Sequence, residues 1–201
     1  MILYTNPYSY NARRCVATIQ QLGLAVELRT VDLAAGEHHA PAFTAMNPNR
    51  KVPVLVDGDL VLWESVAIVN HLAEQRPGVL LPATAAGRAD ALRWQVWTVG
   101  RFNAATGVFL FENLIKAFFN LGAPDADRLA ATTPEVLACL DILEAQLAGQ
   151  AYLCGDAPTV ADFTLYPTFE QAAHIGLPGV AERPALSAWT ARMAALPGFQ
   201  G

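Results

Sequence analysis

Residues 47–72 read NPNRKVPVLVDGDLVLWESVAIVNHL, and this stretch decides the fold. Two short apolar runs, 52–56 and 60–62, flank Asp57-Gly58, a dipeptide typical of a tight hairpin turn. Residues 65–75 then carry apolar side chains at helical spacing, and a Pro-Gly step follows them. The stretch therefore predicts two antiparallel strands followed by a helix.

The residues before this stretch predict a strand, a helix and a second strand. Residues 2–5 form a short apolar run, 12–22 carry apolar side chains at helical spacing, and 25–31 alternate between apolar and polar types. Strand, helix, strand is the order of a βαβ unit with a parallel pair. Residues 34–50 are polar and broken by glycine and proline, which predicts a loop with a short irregular helix.

The residues after the quoted stretch have a different texture, since almost every segment has helical periodicity. We expect helices at about 86–119, 134–148, 159–174 and 184–195. The predicted fold class is therefore α/β plus all-α. A βαβ-ββα domain spans 1–80, and a helical bundle spans 86–201.

Composition favours an ordered protein and argues against nucleic-acid binding. Of the 201 residues, 53% are hydrophobic and 15% are charged, which is enough apolar material for a core. The net charge of −5 divides into −1 for residues 1–80 (six Lys or Arg against seven Asp or Glu) and −4 for 81–201 (seven against eleven). Neither half forms the basic field that a polyanion requires.

Three features predict a cytoplasmic protein. The start, MILYTNPYSYNARR, lacks the basic and apolar regions of a secretory signal. No apolar run approaches the roughly 20 residues of a membrane span. Cys15, Cys139 and Cys154 are far apart and form no CxxC pair, which favours reduced thiols.

Four motifs sharpen this outline: NPYSYN at 6–11, NPNRKVPVLVDGD at 47–59, LWESVAIVNHL at 62–72 and TVADF at 159–163. Together with the element order, they resemble the glutathione transferase family over essentially the whole chain. The resemblance implies a thioredoxin-like domain that binds glutathione and a helical domain that shapes the electrophile site. It implies an enzyme that conjugates glutathione to a small hydrophobic electrophile. No metal-ligand cluster is apparent, so glutathione is the only cosubstrate or cofactor expected.

The resemblance assigns the cysteinyl and γ-glutamyl parts of glutathione to four residues. Val52-Pro53 lies where the family has a cis-proline, and the residue before that proline offers its backbone to the cysteinyl unit, a small case of strand addition. Ser65 is a natural N-cap, whose hydroxyl and neighbouring N–H groups suit the γ-glutamyl carboxylate. Glu64 would pair with the γ-glutamyl amino group. A trans proline and ordinary capping are the alternatives.

The resemblance implies that a side chain at the start of the first helix donates a hydrogen bond to the sulfur of glutathione. Ser9 stands where the serine-type branch has the serine that donates to the sulfur, although it could simply cap the helix. Asn11 matches the asparagine that some bacterial and fungal relatives place there. The tyrosine-type branch would need a tyrosine where this chain has Thr5. Tyr4 does not replace it, because neighbouring side chains of a strand face opposite sides. Cys15 falls on the apolar stripe, which indicates a buried structural thiol.

Two further groups of candidates concern the glycine carboxylate of glutathione and the electrophile. Lys51, Arg50 and His38 are candidates for the glycine carboxylate, although relatives often have glycine at position 50. On the electrophile side, relatives use the long helix of the second domain. The candidates there, with one from the first domain, are Phe102, Asn103, Thr106 and Tyr10.

Other expectations concern structure and assembly. Thr159 and Asp162 form a capping box, and we interpret Asp162 as structural. The family usually forms homodimers, to which Val66, Val69 and the 94–97 stretch could contribute an apolar face. Two alternatives to a transferase stay open: a non-catalytic scaffold or regulator on the same fold, and a glutathione-dependent peroxidase or dehalogenase.

Overall fold

The computed structural model describes residues 1–200 of the chain, which fold into two compact units. The first unit holds Met1–Ala83 and the residues from Ala195 onward, and the second holds Thr84–Ala194. The predicted fold class, a thioredoxin-like βαβ-ββα domain followed by a helical bundle, is confirmed. Within residues 1–200, no helix has the length and apolar character needed to cross a membrane.

A four-stranded sheet forms the centre of the first unit, with strand order β2-β1-β3-β4. The strands are β1 Ile2–Thr5, β2 Glu27–Thr30, β3 Val54–Asp57 and β4 Leu60–Trp63. β1 runs parallel to β2 and antiparallel to β3, and β3 pairs antiparallel with β4. The helices are α1 Tyr10–Leu22, α2 Pro41–Met46 and α3 Ser65–Glu74, with 3₁₀ turns at Glu37–His39 and Pro197–Phe199.

Buried stripes on α1 and α3 hold these two neighbouring helices in place. Cys15, Ile19 and Leu22 form the stripe on α1, and Ile68 and Leu72 lie on that of α3. Burying a large apolar side chain contributes roughly 1.5–3 kcal/mol. The packing therefore fixes the N-terminal ends of both helices, where the sequence places its main candidate residues.

A second cluster fixes the loop before β3. Phe43 of α2 packs with the buried side chains of Val31, Val52 and Val54. The ring of Tyr4 meets Phe43 edge-on, with the centroids 6.2 Å apart, so Tyr4 is directed at α2. The Val52–Pro53 peptide bond is cis, as the motif predicts.

The last described residues pack on α1. Arg13 Nη1 donates to Gly198 O at 3.2 Å, and its guanidinium lies 5.2 Å from the centre of the Phe199 ring. Gly198 N donates to Gln21 Oε1 at 3.1 Å. The sequence analysis assigned these residues to the second domain because they follow its last helix directly. No local sequence pattern predicts their contact with α1.

Helices make up the second unit. They are α4 Ala85–Trp97, α5 Asn103–Leu110, α6 Lys116–Phe118, α7 Ala126–Leu147, α8 Val160–Glu170 and α9 Pro184–Ala194. Two π-helical turns, Thr98–Phe102 and Phe111–Ile115, join α4 to α5 and α5 to α6 without a break. The long helix predicted at 86–119 therefore exists, but it is not a regular α-helix.

Two helix boundaries differ from the prediction. α7 begins at Ala126, because Asp125 caps it by accepting a 3.0 Å hydrogen bond from Arg128 N. Pro134, which the sequence suggested as a helix start, lies inside α7 instead. α8 ends at Glu170 rather than near residue 174.

The capping box of α8 is confirmed, and Asp162 is its buried centre. Its carboxylate accepts hydrogen bonds from Thr159 N at 2.8 Å, Thr159 Oγ1 at 3.1 Å, Leu153 N at 2.9 Å and Trp189 Nε1 at 2.9 Å. Burial raises the pKa of Asp162, while these donors lower it. This carboxylate therefore joins a loop and two helices within the second unit.

Candidate functional site

Ser9 is the N-cap of α1. Its backbone is extended (φ −93°, ψ 111°), and its Oγ accepts a 3.2 Å hydrogen bond from Ala12 N. The carbonyl of Asn6 accepts a 3.1 Å hydrogen bond from Ser9 N, which fixes the backbone just before the cap. Because Oγ is the acceptor toward Ala12, the hydroxyl hydrogen is available to a group outside the helix. The first N–H groups of the helix favour negative charge at the same place.

A buried arginine joins the starts of α1 and α3. Arg14 Nη1 donates to Asn11 Oδ1 at 2.6 Å and to Ser65 Oγ at 3.1 Å. Burial lowers the pKa of Arg14 to about 10, so the guanidinium is still charged at neutral pH. It lies 5.2 Å from the centre of the ring of Tyr10, whose pKa is raised by burial. Asn11, Ser65 and Tyr10 were candidates from the sequence, whereas Arg14 was missed.

A charge on an apolar face was the available signal for Arg14. It lies beside Cys15 and one turn before Thr18, and all three side chains are fully buried. Cys15 is thus the buried thiol that the sequence predicts, and burial raises the pKa of this thiol. A cation at such a position requires polar partners inside the protein.

The start of α3 corrects the interpretation of Ser65 as an N-cap. Glu64 holds the N-cap position, with φ 76° and ψ 112°, and its side chain makes no capping hydrogen bond. A positive φ is uncommon for a residue other than glycine, and such strain is concentrated at functional sites. This backbone turn makes Ser65 the first helical residue, so its buried hydroxyl bonds to Arg14 and does not cap the helix.

Val52 lies just before the paired part of β3. The ladder with β1 joins Tyr4 to Val54, and the ladder with β4 joins Trp63 to Val54, so both begin two residues later. The backbone N–H and C=O of Val52 therefore lie outside both ladders, while its side chain is buried. This geometry suits the addition of a short extended peptide.

Asn47 builds the loop that carries the candidate cations. The buried Asn47 side chain donates to Lys51 O at 2.7 Å and accepts from Asn49 N at 3.0 Å. Lys51 and Arg50 are exposed. Arg50 has φ 55°, a backbone conformation that favours glycine. Sequence reasoning missed Asn47, although an Asn-Pro step is a turn signal.

His38 lies on the 3₁₀ turn, half-buried, with its ring centre 4.0 Å from that of His39. Burial lowers the pKa of His38, and the charges of His39 and Arg50 lower it further. His38 is therefore neutral near pH 7, so it could offer a hydrogen bond to a carboxylate but no full positive charge.

The structure corrects two of the candidates for the electrophile. Phe102 is fully buried and stacked between Trp97 and Phe169, with centroids 5.7 and 5.4 Å away. Thr106 is buried, and its Oγ1 donates to Phe102 O at 3.0 Å. The resemblance assigned both residues to the electrophile because relatives use this part of the long helix, and burial in the core now argues against that role. Asn103 is half-buried and accepts from Thr168 Oγ1 at 3.3 Å.

Two residues expected on a dimer face are also buried. Val69 has no exposed surface and Trp94 is 2% exposed, because they lie on the inner stripes of α3 and α4. On α4 and the π-helical turn that follows it, the exposed apolar side chains are Leu92, Val96 and Val99, at 51%, 57% and 41% exposure. They follow the spacing of one helix face.

Comparisons with known proteins identify the family of this chain. Two family models match: "Glutathione S-transferase, N-terminal domain" over residues 1–74, and "Glutathione S-transferase, C-terminal domain" over residues 126–192. Glutathione S-transferase 3 of Zea mays is 37% identical over 98% of this chain and 90% of its own length. Glutathione S-transferase theta-3 of Mus musculus is 32% identical over 96% of this chain and 81% of its own.

A solved structure extends the likeness to three dimensions. It is the theta class glutathione S-transferase from the citrus canker pathogen Xanthomonas axonopodis pv. citri, with glutathione bound. It matches with a TM-score of 0.88 and 33% identity, over 99% of this chain and 94% of its own. The chain therefore belongs to the glutathione S-transferase family, and it is a transferase of that family.

Proposed function

We propose that this protein activates glutathione as a thiolate and conjugates it to a small hydrophobic electrophile. The hydrogen-bonded bridge from Asn11 through Arg14 to Ser65 carries the proposal, because it joins the start of α1 to the start of α3. Groups suited to a thiolate and groups suited to a carboxylate are thereby held together in one unit. This is the combination that a γ-glutamyl-cysteinyl peptide requires.

Three contacts would hold the first two residues of glutathione. The backbone of Val52, outside both ladders, pairs with the cysteinyl unit by strand addition. The Ser65 hydroxyl and the uncapped N–H groups of α3 hold the γ-glutamyl carboxylate. The exposed Glu64 carboxylate pairs with the γ-glutamyl amino group.

The glycine carboxylate would lie near the loop before β3. Lys51 and Arg50 supply positive charge there, and His38 supplies a neutral hydrogen bond. Because both cations are exposed, each contributes modestly to affinity.

The chemistry begins with the thiol. The Ser9 hydroxyl donates to the sulfur, the Asn11 amide is the second donor, and the N-terminus of α1 favours negative charge. These groups lower the thiol pKa from about 8.5, and the proton passes to solvent. The sulfur lone pair then forms the C–S bond, and the leaving group departs with its bonding electrons. Tyr10 and Asn103 remain the candidates for contact with the electrophile.

The organisation of the chain follows from this role. We infer that residues 1–80 form the glutathione-binding domain and 86–201 shape the electrophile site, in a cytoplasmic homodimer. The exposed stripe Leu92, Val96 and Val99 offers an apolar face to a second copy. Light scattering would give twice the mass of the chain, and Val96→Glu would shift the mass to that of a monomer. A monomeric wild type would contradict the homodimer.

The proposed reaction is tested with two nearly isosteric variants of the cap. Ser9→Asn and Ser9→Asp both keep an acceptor for Ala12 N, but only asparagine keeps a donor for the sulfur. With glutathione and chlorodinitrobenzene, Ser9→Asp should lower kcat/KM by about a hundredfold, and Ser9→Asn by much less. Equal losses would show that Ser9 only caps α1. A wild type that binds glutathione without turnover would favour a scaffold.

A further inference from the structure

Arg14 is a buried cation without a counter-charge. It has no exposed surface, and no carboxylate of the described residues forms an ion pair with it. The groups whose charges act on it are Tyr10 and Cys15, which are both neutral at neutral pH because burial raises the pKa of each. Its Nε and Nη2 have no hydrogen-bond partner among residues 1–200. Burying a charge in this way destabilises a protein, so its retention calls for a functional reason.

The two hydrogen bonds of Nη1 determine how its partners face the site. A serine hydroxyl has one hydrogen, and because Ser65 Oγ accepts from Arg14, that hydrogen is left for another acceptor. An asparagine side chain has one acceptor and two donors. Because Asn11 Oδ1 accepts from Arg14, the Nδ2 donors are directed elsewhere. The guanidinium, which cannot accept, thus makes both neighbours donors.

We propose that Arg14 is a positioning residue that presents Ser65 as a donor to the γ-glutamyl carboxylate and Asn11 as a donor to the thiolate. The inference rests on the proposed function, since both anions belong to glutathione. Arg14 acts through its partners, because a fully buried side chain cannot contact a ligand bound at the surface.

The route through Ser65 is tested by a double-mutant cycle on S-methylglutathione, which has the carboxylate but no thiol. By calorimetry, Arg14→Met and Ser65→Ala should each weaken binding by about tenfold, the effect of losing a hydrogen bond to a charged group. If Arg14 acts through the hydroxyl, the double variant should also lose only about tenfold. A loss of about a hundredfold in the double variant, or an unchanged affinity in Arg14→Met, would overturn the proposal.

A matched control and a second variant distinguish a loss of binding from a loss of folding. Arg13→Met removes a cation of the same size from α1, one that donates to Gln20 and Gly198, and it should bind S-methylglutathione like the wild type. Asn11→Asp keeps the acceptor for Arg14, removes the two Nδ2 donors and gives the cation a counter-charge. It should raise the thiol pKa of bound glutathione, while weakening S-methylglutathione binding less than Arg14→Met does.

The outcomes separate this inference from the proposed function. If the wild type binds neither glutathione nor S-methylglutathione, the proposed function fails. If the wild type binds both and Asn11→Asp leaves the thiol pKa unchanged, the role assigned to Arg14 through Asn11 fails, while the proposed reaction stands with Ser9 as the donor. Should Arg14→Met not fold, the Asn11→Asp result decides.

Discussion

At the scale of single residues, the exposed cations next to the cis-proline offer a selective test. The hydrogen bond from Asn47 to the carbonyl of Lys51 holds this residue next to Val52 and the cis-proline. Lys51→Met should weaken glutathione binding by about fivefold, which is typical for an exposed ion pair. It should leave the binding of γ-glutamylcysteine unchanged, because that peptide lacks the glycine carboxylate. Calorimetry with both peptides decides, and an equal loss for both would place Lys51 elsewhere.

Residue identities predicted part of the site. The features that they did not predict depend on long-range packing and on backbone conformation. Ser9 was predictable as a cap because the hydroxyl and the helix it caps are adjacent in sequence. The contacts of Arg14 were not, because its partner Ser65 lies 51 residues away and comes near it only through the packing of α1 on α3. The cap position of Glu64 was also missed, since a positive φ at a non-glycine residue has no sequence signal.

At the scale of elements, the capping box of α8 makes a clear prediction for stability. Asp162→Asn places an amide nitrogen where the Thr159 N–H needs an acceptor. Removing the buried charge raises the free energy of unfolding somewhat, because a buried carboxylate is costly. The unsatisfied Thr159 N–H lowers it by more. Urea denaturation should show a loss of about 2 kcal/mol in the free energy of unfolding.

The matched control for this change is Asp156→Asn, at an exposed loop position. It should alter the free energy of unfolding by no more than about 0.5 kcal/mol. Equal effects of the two substitutions would show that the box does not stabilise α8.

The elements themselves were largely predictable, and the exceptions concern helix phase. Hydrophobic periodicity and the Asp57-Gly58 hairpin signal predicted the βαβ-ββα order, because these patterns are local. The π-helical turns at Thr98–Phe102 and Phe111–Ile115 were not predictable from regular spacing. Phe102 and Thr106 were assigned to the cleft for a different reason, namely that relatives use this part of the long helix, and both lie in the core.

At the scale of the whole molecule, Glu112 predicts how stability depends on pH. This carboxylate is 1% exposed, forms an ion pair with Lys116, and accepts from Arg128 Nη1 at 3.0 Å and Asp125 N at 2.9 Å. The Lys116 hydrogen bond, more than any other contact, lowers the pKa of Glu112 below its ordinary 4.5. Its contribution to stability is therefore present above about pH 4.5 and is lost as the pH falls through the folded-state value.

Glu112→Gln isolates this contribution, because the variant keeps the size of the side chain and loses the charge. Urea denaturation should show the wild type to be more stable at neutral pH, with the difference shrinking as the pH drops below about 4.5. A difference that stays constant down to acid pH would mean that the charge of Glu112 contributes nothing.

The central claim is that this chain holds glutathione as a thiolate at the N-terminus of α1, with Ser9 as the main donor. The most direct measurement is an ultraviolet pH titration of the thiolate of bound glutathione, in the wild type and in Ser9→Ala. We predict an apparent thiol pKa well below the free value of about 8.5 in the wild type, and a return toward that value in Ser9→Ala. A wild-type value near 8.5, or a lowered value that survives the loss of the hydroxyl, would contradict the claim.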